Sequence, residues 1–261
     1  MSDKDGHPES QAADVREKVD ISLEIRIAGE PVQFTITIPS GPATWEDLLP
    51  FMRSLVQVGT DISADFHQTQ GREISCRAGC GVCCRQRVPL APFEAHRLRR
   101  LVEGMPEPRR SELLNRFAAN EKQVREAADL PLSYDENLTP EQMNDSSVGY
   151  FKMMMPCPFL EDESCSIHAD RPLKCREYLV TSPAENCATP YESDIDDLPL
   201  PLGVYLTTMR LDADPTKPWL RGVPMDQLLT WTDSHEPEPA ERTGPELLNE
   251  FLSKLLRPSQ G

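Results

Sequence analysis

Apolar and polar residues alternate strictly near the start of the chain. Every second residue is apolar from 19 to 27 and again from 32 to 38, and Gly29-Glu30-Pro31 separates the two runs. A period of two places the apolar side chains on one face of a strand. The pattern therefore predicts a β-hairpin over residues 19–40 whose single buried face serves packing.

The apolar spacing then changes to that of helices. Thr44, with Asp47 three residues later, resembles a helix start, and Pro50 favours a regular helix from that point onward, within 44–68. Apolar residues follow at helical intervals on one face, which we expect to face the core: Phe51, Leu55, Val58, Ile62 and Phe66. Two further helices are predicted over 92–128, interrupted by Gly104 and Pro106.

The rest of the chain predicts shorter elements. Residues 131–150 are polar and turn-rich and predict a long loop, whereas prolines interrupt residues 157–187. We expect a strand over Tyr205–Leu211, a short helix over Met225–Trp231, a linker after 233 and an amphipathic C-terminal helix. Together these elements predict a mostly helical α+β fold.

This pattern also predicts a division of the chain. Residues 1–18 have almost nothing to bury and predict a disordered acidic tail. Residues 19–233 form one predicted domain, with a metal-binding core over 70–190, and residues 234–261 form the linker and the last helix.

Charge and composition exclude several classes of function. The net charge of −16 argues against a general binder of nucleic acid or anionic membranes, which needs a basic surface. No run approaches the roughly 18 apolar residues of a membrane span. The polar N-terminus lacks the apolar stretch of a secretion signal, so we expect a cytoplasmic protein with reduced thiols.

The cysteines carry the chemistry. All eight fall into two groups, one dense and one spread: Cys76, Cys80, Cys83 and Cys84, then Cys157, Cys165, Cys175 and Cys187. Thiolates so close together repel one another unless a cation holds them, so we expect all eight to be metal ligands. Gly79 and Gly81 allow the chain to turn sharply between ligands.

Positive charge accompanies the first group. Seven arginines stand against two glutamates between Gly71 and Leu101, although the whole chain is acidic. Arg77 and Arg85 adjoin cysteines, so we expect them to support a thiolate-bound centre. Arg176, beside Cys175, either donates to sulfur or caps backbone carbonyls.

The ordered set of motifs resembles the cysteine-cluster family of zinc- or iron-chelating domains. It comprises Cys76-x3-Cys80-x2-Cys83-Cys84, Cys157-Pro-Phe-Leu, Cys165-Ser-Ile-His168, Arg171-Pro172, Cys175-Arg-Glu-Tyr178 and Cys187. The resemblance covers roughly residues 70–190 and implies metal binding. Because many members have an aromatic residue where His168 stands, it implies no obligatory role for that histidine as a ligand. A flagellin lysine-methylating enzyme shares a similar cluster, which keeps a protein-modifying role open.

Other interpretations explain fewer of the thiols. Cys76-x3-Cys80-x2-Cys83 also has the spacing of radical S-adenosylmethionine enzymes, but the strand–helix alternation of their barrel is missing after residue 90. Four disulfides fit poorly with a cytoplasmic chain and adjacent cysteines. A catalytic thiol, such as Cys165 with His168, leaves seven cysteines unexplained.

The metal and its role stay open at the level of sequence. Distal spacings of seven, nine and eleven residues differ from a zinc ribbon, and the dense first group favours an iron–sulfur cluster, [4Fe-4S] above others, over zinc. Eight thiols can serve one cluster with spares or two tetrathiolate sites. We expect an accessory, redox or metal-handling protein; the alternatives are a protein-modifying enzyme and a zinc-stapled module whose C-terminal helix contacts a protein partner.

Overall fold

The structure is a computed structural model that describes residues 16–127, 139–211 and 222–256. Its strands are β1 (Lys18–Ile27), β2 (Glu30–Pro39), β3 (Pro42–Ala43), β4 (Pro89–Leu90), β5 (Leu160–Glu161), β6 (Ser164–Cys165), β7 (Val223–Pro224) and β8 (Arg242–Thr243). Its helices are α1 (Leu49–Thr69), α2 (Pro92–Glu103), α3 (Arg109–Glu126), α4 (Pro140–Lys152), α5 (Leu173–Glu177), α6 (Val204–Thr208), α7 (Leu228–Ser234) and α8 (Gly244–Leu255). The predicted α+β class, mostly helical, is confirmed.

The predicted N-terminal hairpin is confirmed, with a turn one residue earlier than the sequence indicates. β1 and β2 pair antiparallel, with Ile25 opposite Val32 and Ile27 opposite Glu30. Ala28 and Gly29 both have positive φ, 53° and 92°, as a two-residue turn between twisted strands requires. Most of the predicted tail, residues 1–15, lies outside the described residues.

One apolar core packs the hairpin against the first and the last long helix, α1 and α8. Phe51 of α1 contacts Phe34 of β2 and Phe251 of α8 in edge-to-face pairs, with ring centroids 5.5 and 6.2 Å apart. Trp45 is buried in the same core, in a 3₁₀ helix that precedes α1. α1 begins at Leu49, one residue before the predicted start, and Pro50 occupies its first turn. The apolar face of the predicted C-terminal helix is therefore covered by the chain itself.

A second apolar core lies under the cysteine segments. Leu98 of α2, Phe117 of α3, Phe159 and Leu228 of α7 are all buried there. β4 pairs with β7, so that Leu90 lies opposite Val223. The predicted short helix near Met225–Trp231 is confirmed as a 3₁₀ turn followed by α7.

Two predicted elements are wrong. Residues 205–211 begin inside a helix, α6, rather than a strand; its buried residues pack against α5 and α8, and this tertiary packing overrides their β propensity. The predicted loop over 131–150 contains α4, whose Thr139–Gln142 capping box stabilises its first turn. Residues 131–138 lie outside the described residues.

Within the described parts of the chain, no helix is both long enough and apolar enough to cross a bilayer.

Candidate metal centre

All eight cysteines line one cavity, beside the second apolar core, which contributes Phe159, Ile167 and Met225 to the wall. Its volume is about 480 Å³, and the thiols in its wall are Cys76, Cys80, Cys83, Cys84, Cys157, Cys165, Cys175 and Cys187. All eight are free thiols, and Cys187 is the residue with the smallest exposed fraction among them, 5%. The structure thus brings together the two groups that are about seventy residues apart in the sequence.

The first cysteine loop folds tightly around its glycines. Gly79 has a φ of +84°, a conformation that favours glycine over any other residue. At Gly81 a Cβ would lie 2.6 Å from a Glu163 carboxylate oxygen and 2.7 Å from Leu160, so a larger residue there requires both of these side chains to move. A 3₁₀ helix, Val82–Arg85, then carries Cys83 and Cys84. The chain therefore turns sharply between these cysteines, as their glycines predict.

Backbone hydrogen bonds hold the second group against the first. The amide of Cys157 donates to the carbonyl of Cys84 over 2.8 Å, and the amide of Gly79 donates to the Ser164 hydroxyl over 3.1 Å. Cys165 lies in the short β5–β6 hairpin. These bonds fix the distance between the two cysteine segments without a long regular element.

The last two thiols come from short helices. Cys175 lies in α5, and Cys187 in a 3₁₀ helix, Ala184–Ala188, that packs against the 3₁₀ helix Val82–Arg85. The amide of Ser75 donates to the carbonyl of Val180 over 2.9 Å, which ties the entry of the first loop to the chain between these two cysteines.

Burial and mutual repulsion oppose ionisation of the thiols. Burial raises the pKa of Cys157 to about 12, and burial together with neighbouring thiols raises the pKa of Cys175 well above its usual value. A hydrogen bond with Cys84, and then burial, raise the pKa of Cys83. Thiolates at these positions therefore need a bound cation to offset the cost of their charge.

The repulsions divide the thiols into two sets around Cys83. Burial first, and then the charges of other thiols, raise the pKa of Cys76, Cys187, Cys157 and Cys175. Cys80 and Cys83 act on Cys76, and Cys76, Cys80 and Cys83 act on Cys187. In the second set, Cys165 and Cys83 act on both Cys157 and Cys175. Cys83 thus acts on both a set formed by Cys76, Cys80 and Cys187 and a set formed by Cys157, Cys165 and Cys175.

The three arginines predicted to support the centre have different positions. Arg77 lines the cavity. Arg85 instead pairs with Glu163, with an N–O distance of 2.6 Å, and donates to the carbonyl of Gly81 over 2.9 Å. Arg176 donates to the carbonyls of Arg171 and Ala169, which is the carbonyl-capping alternative. Arg85 and Arg176 therefore brace the loops that carry the cysteines rather than line the cavity.

Other cationic residues line the cavity and were not among the predicted site residues. Arg171 and Lys174 are in its wall, and Arg171 acts to lower the pKa of Cys76, Cys83 and Cys165 against the effect of burial. Arg171-Pro172 forms part of the motif set, which was the available signal. His168 also lines the cavity, and Arg171, followed by burial, lowers the pKa of its imidazole, which favours the neutral form.

A buried ion pair fixes the chain just beyond the first loop. Both oxygens of Asp226 accept from Arg87, at 3.0 and 3.1 Å, and the side chains are 1% and 0% exposed. The Arg87 guanidinium also lies over the ring of Tyr150, 5.6 Å from its centroid. No local sequence pattern links Arg87 to Asp226, because they are 139 residues apart.

The donor set fits thiophilic metals, and the geometry is that of a lined cavity. Thiolate sulfur suits zinc and iron–sulfur clusters, and the surrounding cations suit an anionic centre. Among the described residues, no three or more histidine, cysteine, aspartate or glutamate side chains are grouped closely enough to hold one metal ion. The thiols surround a space rather than converge on a point.

Comparison with known proteins gives a family for this region. No curated protein and no solved structure matches the chain. A family model does match residues 75–192: it is named CxxCxxCC and described as "Putative zinc- or iron-chelating domain". The match includes all eight cysteines, and it excludes the hairpin, α1, α7 and α8. Residues 75–192 of this chain thus match the CxxCxxCC family model of zinc- or iron-chelating domains.

Proposed function

We propose that the eight thiols bind an iron–sulfur centre and that the protein serves as an accessory redox or metal-handling protein. One observation carries the proposal: every cysteine of the chain lines the same cavity. When bound, such a centre supplies one-electron transfer.

The size of the cavity favours a cluster over a single zinc ion. Its volume of about 480 Å³ is on the order of fifteen times the share of one liquid water, about 30 Å³. A structural zinc site is closed, with four ligands packed on one ion. A group of several metal and sulfide atoms is a better match to thiols that stand apart around a space.

The two thiol sets support two four-cysteine ligand sets. Each set has three members of its own; Cys83 acts on both sets, and the carbonyl of its neighbour Cys84 accepts from the amide of Cys157. The thiols of Cys83 and Cys84 are close enough to hydrogen-bond to each other, so this pair can supply the fourth ligand of each set. We propose that Cys83 and Cys84 belong to different centres.

The cationic wall supports an anionic centre. Four thiolates around a [4Fe-4S] core of charge plus two carry a net charge of minus two. Arg77, Arg171 and Lys174 in the wall offset such a charge, although the chain as a whole is strongly acidic. Arg77 is the clearest test of this role because its side chain is exposed and its removal leaves the core intact.

Anaerobic purification followed by iron, sulfide and zinc determination tests the centre. We expect iron and acid-labile sulfide in equal amounts, near eight of each per chain for two [4Fe-4S] centres, with iron–sulfur Mössbauer signals. Cys83→Ser and Cys84→Ser should each remove about half of the iron. Stoichiometric zinc without sulfide overturns the cluster, and one variant retaining all the iron overturns the division into two centres.

Redox titration tests the cationic wall. Arg77→Gln should lower the midpoint potential of the centre, because removal of a positive charge disfavours the added electron. Arg72→Gln is the matched control, since Arg72 is exposed in the same loop but does not line the cavity. Equal potentials for both variants contradict a role for Arg77.

A protein-modifying enzyme is the second candidate function. The observation in its favour is that the cavity is also lined by the polar side chains of Gln86, Lys174 and Tyr178. A closed structural metal site does not require such groups, whereas a substrate-binding site does. Calorimetric titration of the metal-loaded protein with S-adenosylmethionine tests a methylating role. Binding that Lys174→Met weakens supports this candidate, and the absence of heat leaves the accessory role.

A further inference from the structure

A second cavity of about 450 Å³ lies apart from the cysteines and shares no lining residue with the first. One face of α2 forms a wall, with Pro92, Phe93, His96 and Arg100 at helical spacing. The opposite side comes from the 3₁₀ helix at Trp45, the end of α6, and α7 with the segment that follows it. Most of this wall lies outside the matched domain.

The walls of this cavity are mainly aromatic and apolar. Trp45, Phe93 and Trp231 line it, together with Met209 and Leu211. The Trp231 ring is held in place by His235, stacked at 4.3 Å between centroids, and by His96 at 5.4 Å. Cavities of several hundred cubic ångströms with rigid apolar walls and a few polar groups are typical ligand sites.

Two buried polar residues, His96 and Thr208, line this cavity; the Thr208 hydroxyl donates to the carbonyl of Tyr205, whereas His96 has an atom without a partner among the described residues. Its side chain belongs to a residue that is only 8% exposed, and its Nε2 atom forms no hydrogen bond in the described part of the chain. An unpaired buried polar atom is costly, and a native structure that retains one calls for a reason. Burial, followed by the charge of Arg100, lowers the pKa of the imidazole, so the ring is neutral and can accept a hydrogen bond.

Three carboxylates and one guanidinium line the cavity, and one of the carboxylates has no ion-pair partner in the described part of the chain. Glu46 pairs with Arg100, and Glu238 pairs with Arg242, which lies outside the wall. Arg97 is 3.6 Å from Glu46 but pairs more closely with Asp170, at 2.6 Å. Glu236, exposed beside them, forms no ion pair with any residue that the structure describes. The group that complements this cavity therefore carries one positive charge.

We propose that this cavity binds an organic cation with a compact aromatic or apolar body and one protonated amine. The body packs against Phe93, Trp231 and Met209, as apolar ligands do in rigid aromatic pockets. The ammonium donates hydrogen bonds to His96 after a small adjustment of its ring, and pairs with Glu236. This site is independent of the metal centre.

Three probes of nearly the same shape but different charge test whether charge determines binding in this cavity. The full-length metal-loaded protein, labelled with ¹⁵N, is titrated with 2-phenylethylamine, 2-phenylethanol and phenylacetate, and the indole N–H signal of Trp231 is assigned with Trp231→Phe. We expect the amine to shift this signal with a Kd on the order of 1 mM, as a ligand of this size allows. The alcohol should bind about tenfold more weakly, and phenylacetate should leave the signal unchanged.

Two glutamate variants test whether Glu236 is the carboxylate that pairs with the ammonium group. Glu236→Gln should weaken binding of the amine about fivefold, a typical effect for a partly exposed ion pair. Glu241→Gln, exposed in the same segment but absent from the wall, should leave it unchanged. Equal binding of all three probes, no shift by the amine, or equal effects of both variants overturns the proposal, whatever metal the protein contains.

Discussion

Two units of this molecule are stabilised in different ways. The hairpin unit, made of β1, β2, α1 and α8, contains elements of ten to 21 residues that bury a continuous apolar core. The cysteine unit, made of residues 75–91 and 157–192, contains two-residue strands, 3₁₀ turns and a five-residue helix around its cavity, and the longer helices α2, α3 and α4 connect its two segments in the chain. Side-chain burial holds the first unit, whereas the segments around the cavity rest on the second apolar core and depend in addition on polar contacts and on what the thiols bind.

Removal of the metal should produce the largest difference in stability between the two units. A chelator or reductive demetallation should cost the cysteine unit the whole free energy of metal binding, about 10 kcal/mol or more for tetrathiolate sites. We expect backbone amides over 157–187 to lose protection from hydrogen exchange, while those of β1, β2 and α1 keep it. Exchange measured by mass spectrometry before and after demetallation checks this.

Reloading with metal is the control for that experiment. Protection over 157–187 should return with the metal, which distinguishes loss of a ligand from irreversible damage. If both units lose protection together, the hairpin unit depends on the centre; if neither does, the cavity is stable without metal. Either result contradicts the proposed difference in how the two units are stabilised.

Phe251→Ala should act on the other unit. Phe251 is fully buried in the hairpin core against Phe51, and truncation of such a side chain costs about 3–5 kcal/mol. Phe66→Ala, at a residue that is 59% exposed, should change the free energy of unfolding by less than about 0.5 kcal/mol. Denaturant unfolding measures both. Metal content per folded chain should stay at the wild-type value in both variants. A loss of metal in Phe251→Ala would contradict the independence of the hairpin core from the cysteine unit.

The sequence could be interpreted most fully where side-chain period determines structure. Alternation over 19–38 located the hairpin, and helical spacing from Phe51 located α1, because in both cases one face is buried. The same approach failed at residues 205–211, where apolar and β-branched residues form α6. Short buried segments lack enough residues to display a period, so packing partners decide their conformation.

At the site, the sequence indicated the candidate ligands but not the structure around them. The eight cysteines, Gly79 and the resemblance located the candidate site, since metal-binding chemistry depends on residue types. Two contacts join distant segments and leave no local pattern in the sequence. Glu163 limits the space at Gly81, and Asp226 pairs with Arg87. For the same reason Arg85 and Arg176, although adjacent to cysteines, turn away toward carboxylate and carbonyl partners.

Asp226→Ala should show that the cysteine unit depends on residues beyond 192. The substitution leaves the Arg87 guanidinium buried without its carboxylate, and breaking a buried pair costs about 3 kcal/mol or more. Removal of both charges in Arg87→Met/Asp226→Leu should restore most of that free energy, since an apolar pair avoids the desolvation cost. Thermal unfolding of both variants checks this, and a double variant no more stable than Asp226→Ala contradicts the ion-pair explanation.

Glu94→Ala should have the smallest effect, at the point where α2 meets the cysteine unit. The buried Glu94 carboxylate accepts from the amide of Leu173 over 2.8 Å and from the amide of Ala91 over 3.4 Å. It therefore caps the helix that carries Cys175 from within α2, and its loss leaves two buried amides unpaired, at a cost of about 1–3 kcal/mol.

Glu94→Gln keeps one acceptor for the Leu173 amide and so separates the cap from the size of the side chain. We expect Glu94→Gln to retain most of the stability and Glu94→Ala to lose metal faster to a chelator, because Cys175 is then held less firmly. Chelator-driven release, followed by the loss of visible absorbance, measures this. Equal release from both variants and the wild type would mean that Cys175 is positioned by the metal alone, and that the cysteine unit needs no support from α2 at this point.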